Sequence, residues 1–182
     1  MPSRMSAESS AMTTRSGGAS TCGSCILGPA PAGILPHMPT HRLTAFAAAP
    51  PERVFDLWID LDRMKEWVGG VTRVTDVSGP VDAAGTTYVV WFGRVRSPTV
   101  VLEADRPRRF STRFGNRILR GVNTTTFEPE GDGTRIHEVL QTEGWVSEIT
   151  SRLFSMGSYK GSYQGELNDF ARLAEREAGS SG

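Results

Sequence analysis

From Val146 to Ala178 the chain contains no proline, and its apolar residues keep a helical rhythm that breaks at the centre. Ile149, Leu153, Met156, Tyr163, Leu167, Phe170 and Ala174 follow a 4-3-4-3 spacing once position 160 is counted, and that position is Lys160. At about 100° per residue these side chains share one face. Beside them run Gly157, Gly161 and Gly165, each four residues from the next. A glycine inside a helix costs about 1 kcal/mol relative to alanine. A helix that only sealed a core would use neither a lysine nor three missing side chains at its middle. One that roofs a cavity would. The pattern predicts a long C-terminal helix packed over a pocket.

Ahead of that helix the chain reads as strands. A strand over 40–47 is followed by Pro50-Pro51-Glu52, a helix opening with proline in the first turn and an acid behind it. Val54, Leu57, Trp58 and Leu61 form the buried face of this helix, and a second short helix is expected over 61–67, ending at Gly69-Gly70. Strands at hairpin spacing are then predicted over 71–78, 86–93, 96–105, 109–115, 118–128 and 134–145. Between the last two, Glu130-Gly131-Asp132-Gly133 is a specific hairpin signal. Short sequential loops imply an antiparallel meander with the long helix across its concave side.

Residues 1–37 are rich in Ser, Gly, Ala, Thr and Pro without periodicity, and a disordered tail is expected there. They carry no apolar h-region of a signal peptide. Met38 opens a conventional beginning, MPTHRLTAF, so the tail is consistent with an over-extended gene start. The expected domain is 38–178, with 179–182 a flexible end. Both cysteines, Cys22 and Cys25, lie in the tail, which leaves the globular part without a thiol and makes a reducing cytoplasm the simplest compartment. The CxxC they form has no second ligand pair. The formal net charge is +0, so no global field favours nucleic acid or an anionic membrane. No apolar run approaches the roughly 18 residues of a membrane span, so stable insertion is not expected.

This element order, and several residues in it, resemble the START-like (SRPBCC) superfamily with the helix-grip fold, in particular its polyketide cyclase/dehydrase branch. The likeness covers residues 40–178. PPERVFDLWIDLDRMKEWVGGV resembles the family's opening helix pair, with Asp60 and Trp67 at the aspartate and tryptophan positions. LEADRPRRF is similar to the turn into the fifth strand, and TTFEPEGDGTRIHEVLQTE to the final hairpin. The resemblance implies an α+β fold: a curved antiparallel sheet of about seven strands wrapped round the C-terminal helix, with two short helices after the first strand. Members include ligand carriers, cyclases, coenzyme-Q-binding proteins and chaperone activators. A fold so widely shared does not fix a reaction, and it brings no universal catalytic residue.

The candidate site therefore rests on this chain's own residues. In the last strand Ile136, Glu138, Leu140 and Thr142 alternate with Arg135, His137, Val139 and Gln141, and the apolar members put the first set inside. Glu138 then faces the pocket, where a carboxylate must be paired or lose its charge. One reading has it near the strand end, reaching water or a loop amide. Another pairs it with Lys160, orienting a polar ligand group or moving a proton. His137 should lie outside. Tyr88, Phe92, Phe110, Phe114, Asn123, Phe127, Tyr159 and Tyr163 are the other candidates for the lining, although aromatics dominate cores and most of these are expected to be plain core. Asn123 and the helix tyrosines stand out because a buried amide or phenol needs a partner. Glu138, Lys160 and Tyr163 are the candidates for proton transfer.

With three histidines and no phosphate loop or nucleophile triad, no metal site and no cofactor are implied. Arginines at 94, 96, 106, 108, 109, 113, 117 and 120 face acids at 128, 130, 132, 138, 143 and 148 on neighbouring strands. These imply either cross-strand ion pairs on the outer face or a basic rim for a ligand with an anionic group. The leading expectation is non-covalent binding of a small, mostly apolar, lipid- or polyketide-like ligand for carriage, sequestration or sensing. The rivals are a cyclase or dehydratase and a protein-interaction module.

Overall fold

The computed structural model describes residues 39–116, 120–143 and 158–180, with the backbone alone over 158–162. The expected tail and the helical stretch expected over 146–157 lie outside the described residues. Strand β1, Thr40–Ala47, shows the two-residue period of a half-buried strand: Leu43, Ala45 and Ala47 are buried and their neighbours exposed. Helix α1, Pro51–Trp58, begins with proline in its first turn and buries Val54, Phe55, Leu57 and Trp58.

The second helix expected over 61–67 contracts to a 3-10 turn at Met64–Glu66. The backbone N–H of Asp62 donates to Oδ1 of Asp60 at 3.2 Å, a local side-chain bond that competes with helical pairing. Strand β2, Val71–Thr75, stops short of the expected residue 78 because Asp76 takes a left-handed conformation with φ 58°.

The remaining strands are β3 (Thr87–Phe92), β4 (Val95–Asp105), β5 (Arg109–Gly115), β6 (Arg120–Glu130) and β7 (Gly133–Glu143). Together with β1 and β2 they make one seven-stranded sheet in the order β1-β7-β6-β5-β4-β3-β2, antiparallel throughout. The turn between β6 and β7 depends on Gly131, whose φ of 57° suits glycine. Register shifts near Val71 in β2 and Val101 in β4 mark the bulges that let the sheet curl.

Helix α2, Ser158–Gly179, lies along the inner side of β1. Ala45 and Ala47 leave it room, and Nε2 of Gln164 donates to the Thr44 carbonyl at 2.9 Å. Leu167, Phe170, Ala171, Leu173 and Ala174 are its buried residues. Phe170 stands edge-on to Trp58 at 4.8 Å, while Phe55 and Trp58 meet Phe127 at 5.6 and 5.7 Å. This aromatic plug fills one end of the sheet's concave side. The fold is α+β and helix-grip in kind. No helix among the described residues is long and apolar enough to cross a membrane.

Candidate functional site: a cavity between sheet and helix

Beyond the aromatic plug the concave side is hollow. The cavity measures about 170 Å³. Its walls follow from strand alternation: Tyr88, Val90 and Phe92 of β3, Ser97 and Thr99 of β4, and Phe110, Thr112 and Phe114 of β5 all point to it. Asn123 of β6 and Glu138 and Leu140 of β7 close the far side. Trp58, Leu61, Met64, Trp67 and Val68 form one end, and Tyr163 and Glu166 of α2 form the roof. Phe114 fits because its partner across the ladder is Gly121, where a Cβ would stand 2.9 Å from the phenyl ring. Phe92 is 39% exposed, which puts it at the mouth.

The polar groups are few. Nδ2 of Asn123 donates to Oε1 of Glu138 at 2.8 Å. Glu138 keeps some surface toward the hollow but is otherwise enclosed, and desolvation pushes its carboxyl up to about 7. The Asn123 bond opposes that rise, and the nearby charge of Glu166 adds to it. Glu166 is itself raised, first by burial, although the Gly69 backbone N–H donates to it at 3.0 Å and favours its charged form. Burial also pushes the Tyr88 phenol up. Among the described residues, two buried side-chain atoms have no hydrogen-bond partner: the indole Nε1 of Trp67 and Oδ1 of Asn123. Both residues line this cavity. An unpaired buried donor and acceptor cost about 1–3 kcal/mol each, so their presence calls for a function.

Tyr88, Phe92, Phe110, Phe114, Asn123, Glu138 and Tyr163 are thus brought together in one lining. Phe127 is not among them; it is 1% exposed and belongs to the plug. The side chains of Tyr159 and Lys160, and hence the Glu138–Lys160 pair, lie outside the described residues. His137 is exposed on the outer face, 3.8 Å from Glu128. Glu166 is a lining residue that the sequence pattern does not single out, although it follows Tyr163 by three and precedes Phe170 by four, which sets it on the inward face of α2. Trp67 packs into the core, where its ring stacks on Trp58 at 4.7 Å, and it also lines one end of the cavity.

A larger hollow, about 470 Å³, lies on the other side of the same strands. Its lining is mainly the alternate residues, among them Val89, Pro98, Val100, Arg113 and Val122. Its polar rim is largely satisfied: Arg120 pairs with Glu143 at 2.6 Å, and Arg96 sits over the Trp91 ring at 5.3 Å. Elsewhere Arg106, Arg108 and Arg109 pair with Asp56, Asp105 and Glu103. Arg108 and Arg109 thus meet acids of their own segment, Arg106 reaches Asp56 of α1, and Arg120–Glu143 joins the basic and acidic stretches. Volume alone favours the outer hollow; unpaired buried chemistry favours the inner one, which we take as the site. No cluster of three His, Cys, Asp or Glu side chains able to hold a metal occurs among the described residues.

The sequence model of one family, described as polyketide cyclase / dehydrase and lipid transport, matches residues 38–175. The chain belongs to that family. Solved structures agree on the fold. Protein MLL2253 of Mesorhizobium loti is similar with a TM-score of 0.61 and 16% identity, over 76% of this chain and 98% of that one. TTHA0849 of Thermus thermophilus matches with a TM-score of 0.55 and 23% identity, over 79% and 99%. DynU16, a protein in the dynemicin biosynthetic locus, matches with a TM-score of 0.57 and 18% identity, over 76% of this chain and 48% of its own. No curated protein matches this sequence. In this polyketide cyclase / dehydrase and lipid transport member, the concave side of the grip holds the hollow described above.

Proposed function

We propose that this family member binds a small, mostly apolar ligand in the inner cavity, as a carrier, sequestering or sensing protein. The observation that carries the reading is the meeting of aromatic walls with two buried, unpartnered atoms, Trp67 Nε1 and Asn123 Oδ1. Pockets that bind organic molecules are mostly apolar with a few polar groups that fix orientation, and this lining has that make-up. At about 170 Å³ the space suits one ring, or the ring end of a longer molecule; a cavity of about 150 Å³ is known to hold benzene.

A second reading is enzymatic. A carboxyl with a pKa of about 7 beside a ligand is poised to give or take a proton at neutral pH, as a cyclase or dehydratase needs. The likeness to a protein from a biosynthetic locus adds to that case. Glu138→Gln separates the two: in an enzyme it removes turnover and leaves binding, and in a carrier it changes affinity alone.

The test of binding is calorimetry with 2-phenylethanol on the wild type and two filling variants. Thr112→Phe fills the inner cavity and should abolish the heat of binding. Val122→Phe fills the outer hollow and should leave it unchanged. Binding that survives the first and is lost in the second would overturn the assignment.

A further inference from the structure

The described lining of the inner cavity contains two carboxylates, Glu138 and Glu166, and no lysine or arginine. The hydroxyls of Tyr88, Ser97, Thr99, Thr112 and Tyr163 can donate or accept, so what sets the lining apart is its groups that only accept. Besides these carboxylates there is the orphan Oδ1 of Asn123, held beside Glu138 by the 2.8 Å bond from the same amide. Glu166 is close enough for its charge to act on Glu138. Around them stand Trp67, Tyr88, Phe110, Phe114 and Tyr163, whose ring faces attract a cation.

We propose that the ligand enters with a protonated amine, as an aryl-alkyl amine whose ammonium lies among Asn123 Oδ1, Glu138 and Glu166 and whose ring lies against the aromatic wall. An ammonium carries three donors and no acceptor, which complements three acceptors. It also supplies the countercharge that these buried carboxylates lack among the described residues. A neutral hydroxyl would satisfy one acceptor and leave both charges uncompensated. An anionic group would add a like charge to a low-dielectric space, where repulsion is strong. The Trp67 N–H is left for an acceptor elsewhere on the ligand, such as a ring oxygen substituent.

Among the described residues, the other titratable groups of the lining are Tyr88 and Tyr163; His41 touches Tyr163 from outside it, with ring centroids 6.1 Å apart. Protonating Glu138 removes its charge and disfavours a cation, so amine affinity should fall as pH drops below about 7.

Because the proposal rests on the cavity being the ligand site, the probes are matched in size and differ in charge: 2-phenylethylamine, 2-phenylethanol and 3-phenylpropionate, titrated at pH 8 on the full chain. The amine is expected to bind at least tenfold tighter than the alcohol, and the propionate at least tenfold weaker than the alcohol. Glu138→Gln and Glu166→Gln should each cost the amine about tenfold while sparing the alcohol, with thermal unfolding confirming that both variants fold. Equal or tighter binding of the alcohol would overturn the amine and leave the cavity reading intact. An amine preference that survives both substitutions would overturn it too. So would a preference that emerges only in Lys160→Met, since the chain's own ammonium would then occupy the place. Absence of binding by all three probes would remove the cavity reading and the amine with it.

Discussion

The two faces of one sheet carry two hollows, and they differ in what their polar atoms lack. On the outer face Trp91 Nε1 donates to Thr75 Oγ1 at 2.9 Å, Arg73 lies 4.4 Å over its ring, and Arg120 meets Glu143. On the inner face Trp67 Nε1 and Asn123 Oδ1 have no partner, and two carboxylates share a desolvated space. The outer hollow is the larger, yet its exposed ion pairs contribute about 0–1 kcal/mol and demand no ligand. The inner one is arranged at a cost to stability. A site is recognised here by unmet chemistry rather than by volume.

The largest test of that contrast is Trp67→Ala. It removes a ring stacked on Trp58 and edge-on to Phe170 at 5.0 Å, and should lower the unfolding free energy by about 3–5 kcal/mol in denaturant titration. Trp67→Phe should recover most of that stability while still lacking the donor. If both variants lose equally, the N–H rather than the ring holds the stability, and it is not an orphan.

Glu138→Gln should act in the opposite direction. The folded-state pKa of Glu138 is about 7 against an ordinary 4.5, so between these values the folded protein holds a proton that the unfolded chain has released. Stability from this group is fullest below pH 4.5, falls as pH rises to about 7, and stays low above that. A shift of this size corresponds to about 3 kcal/mol. At pH 8 the glutamine variant should therefore be more stable by up to about 3 kcal/mol, and the gain should vanish near pH 4. Its amide still accepts from Asn123. A loss of stability at pH 8 would mean that a cation already compensates the carboxylate.

Gly165→Ala should stabilise by about 0.5–1 kcal/mol, because a Cβ there meets nothing within 4 Å and only the helix preference changes. Probe affinity should not move, since Gly165 does not line the cavity. A drop in affinity would show that Gly165 helps to shape the roof. The smallest effect is expected on the outer face. A double-mutant cycle of Arg120→Met with Glu143→Gln should give a coupling of about 0.2–1 kcal/mol and no change in probe binding.

Much of this was legible in the chain. The two-residue period of the last strand turns Glu138 inward, Tyr88, Phe110, Phe114 and Asn123 are candidates by residue type, and the Gly131 turn marks the last hairpin. The same period could not tell cavity from core: Phe127 points inward like Phe114, and only the placement of α1 buries it under Phe55 and Trp58. The 3-10 turn escaped because one Asp62–Asp60 bond diverts a helical segment. Glu166 escaped for a different reason. Its partner is a backbone N–H at Gly69, 97 residues away, which no local pattern announces.

Which indole senses a ligand decides between the two hollows. Trp67 and Trp91 report the inner cavity and the outer face, and each gives its own N–H signal in a nitrogen-correlated NMR spectrum, assigned with Trp67→Phe and Trp91→Phe. On titration with 2-phenylethanol the Trp67 signal should shift progressively while that of Trp91 stays in place. Movement of Trp91 with Trp67 unchanged would contradict the account and return the ligand to the outer hollow.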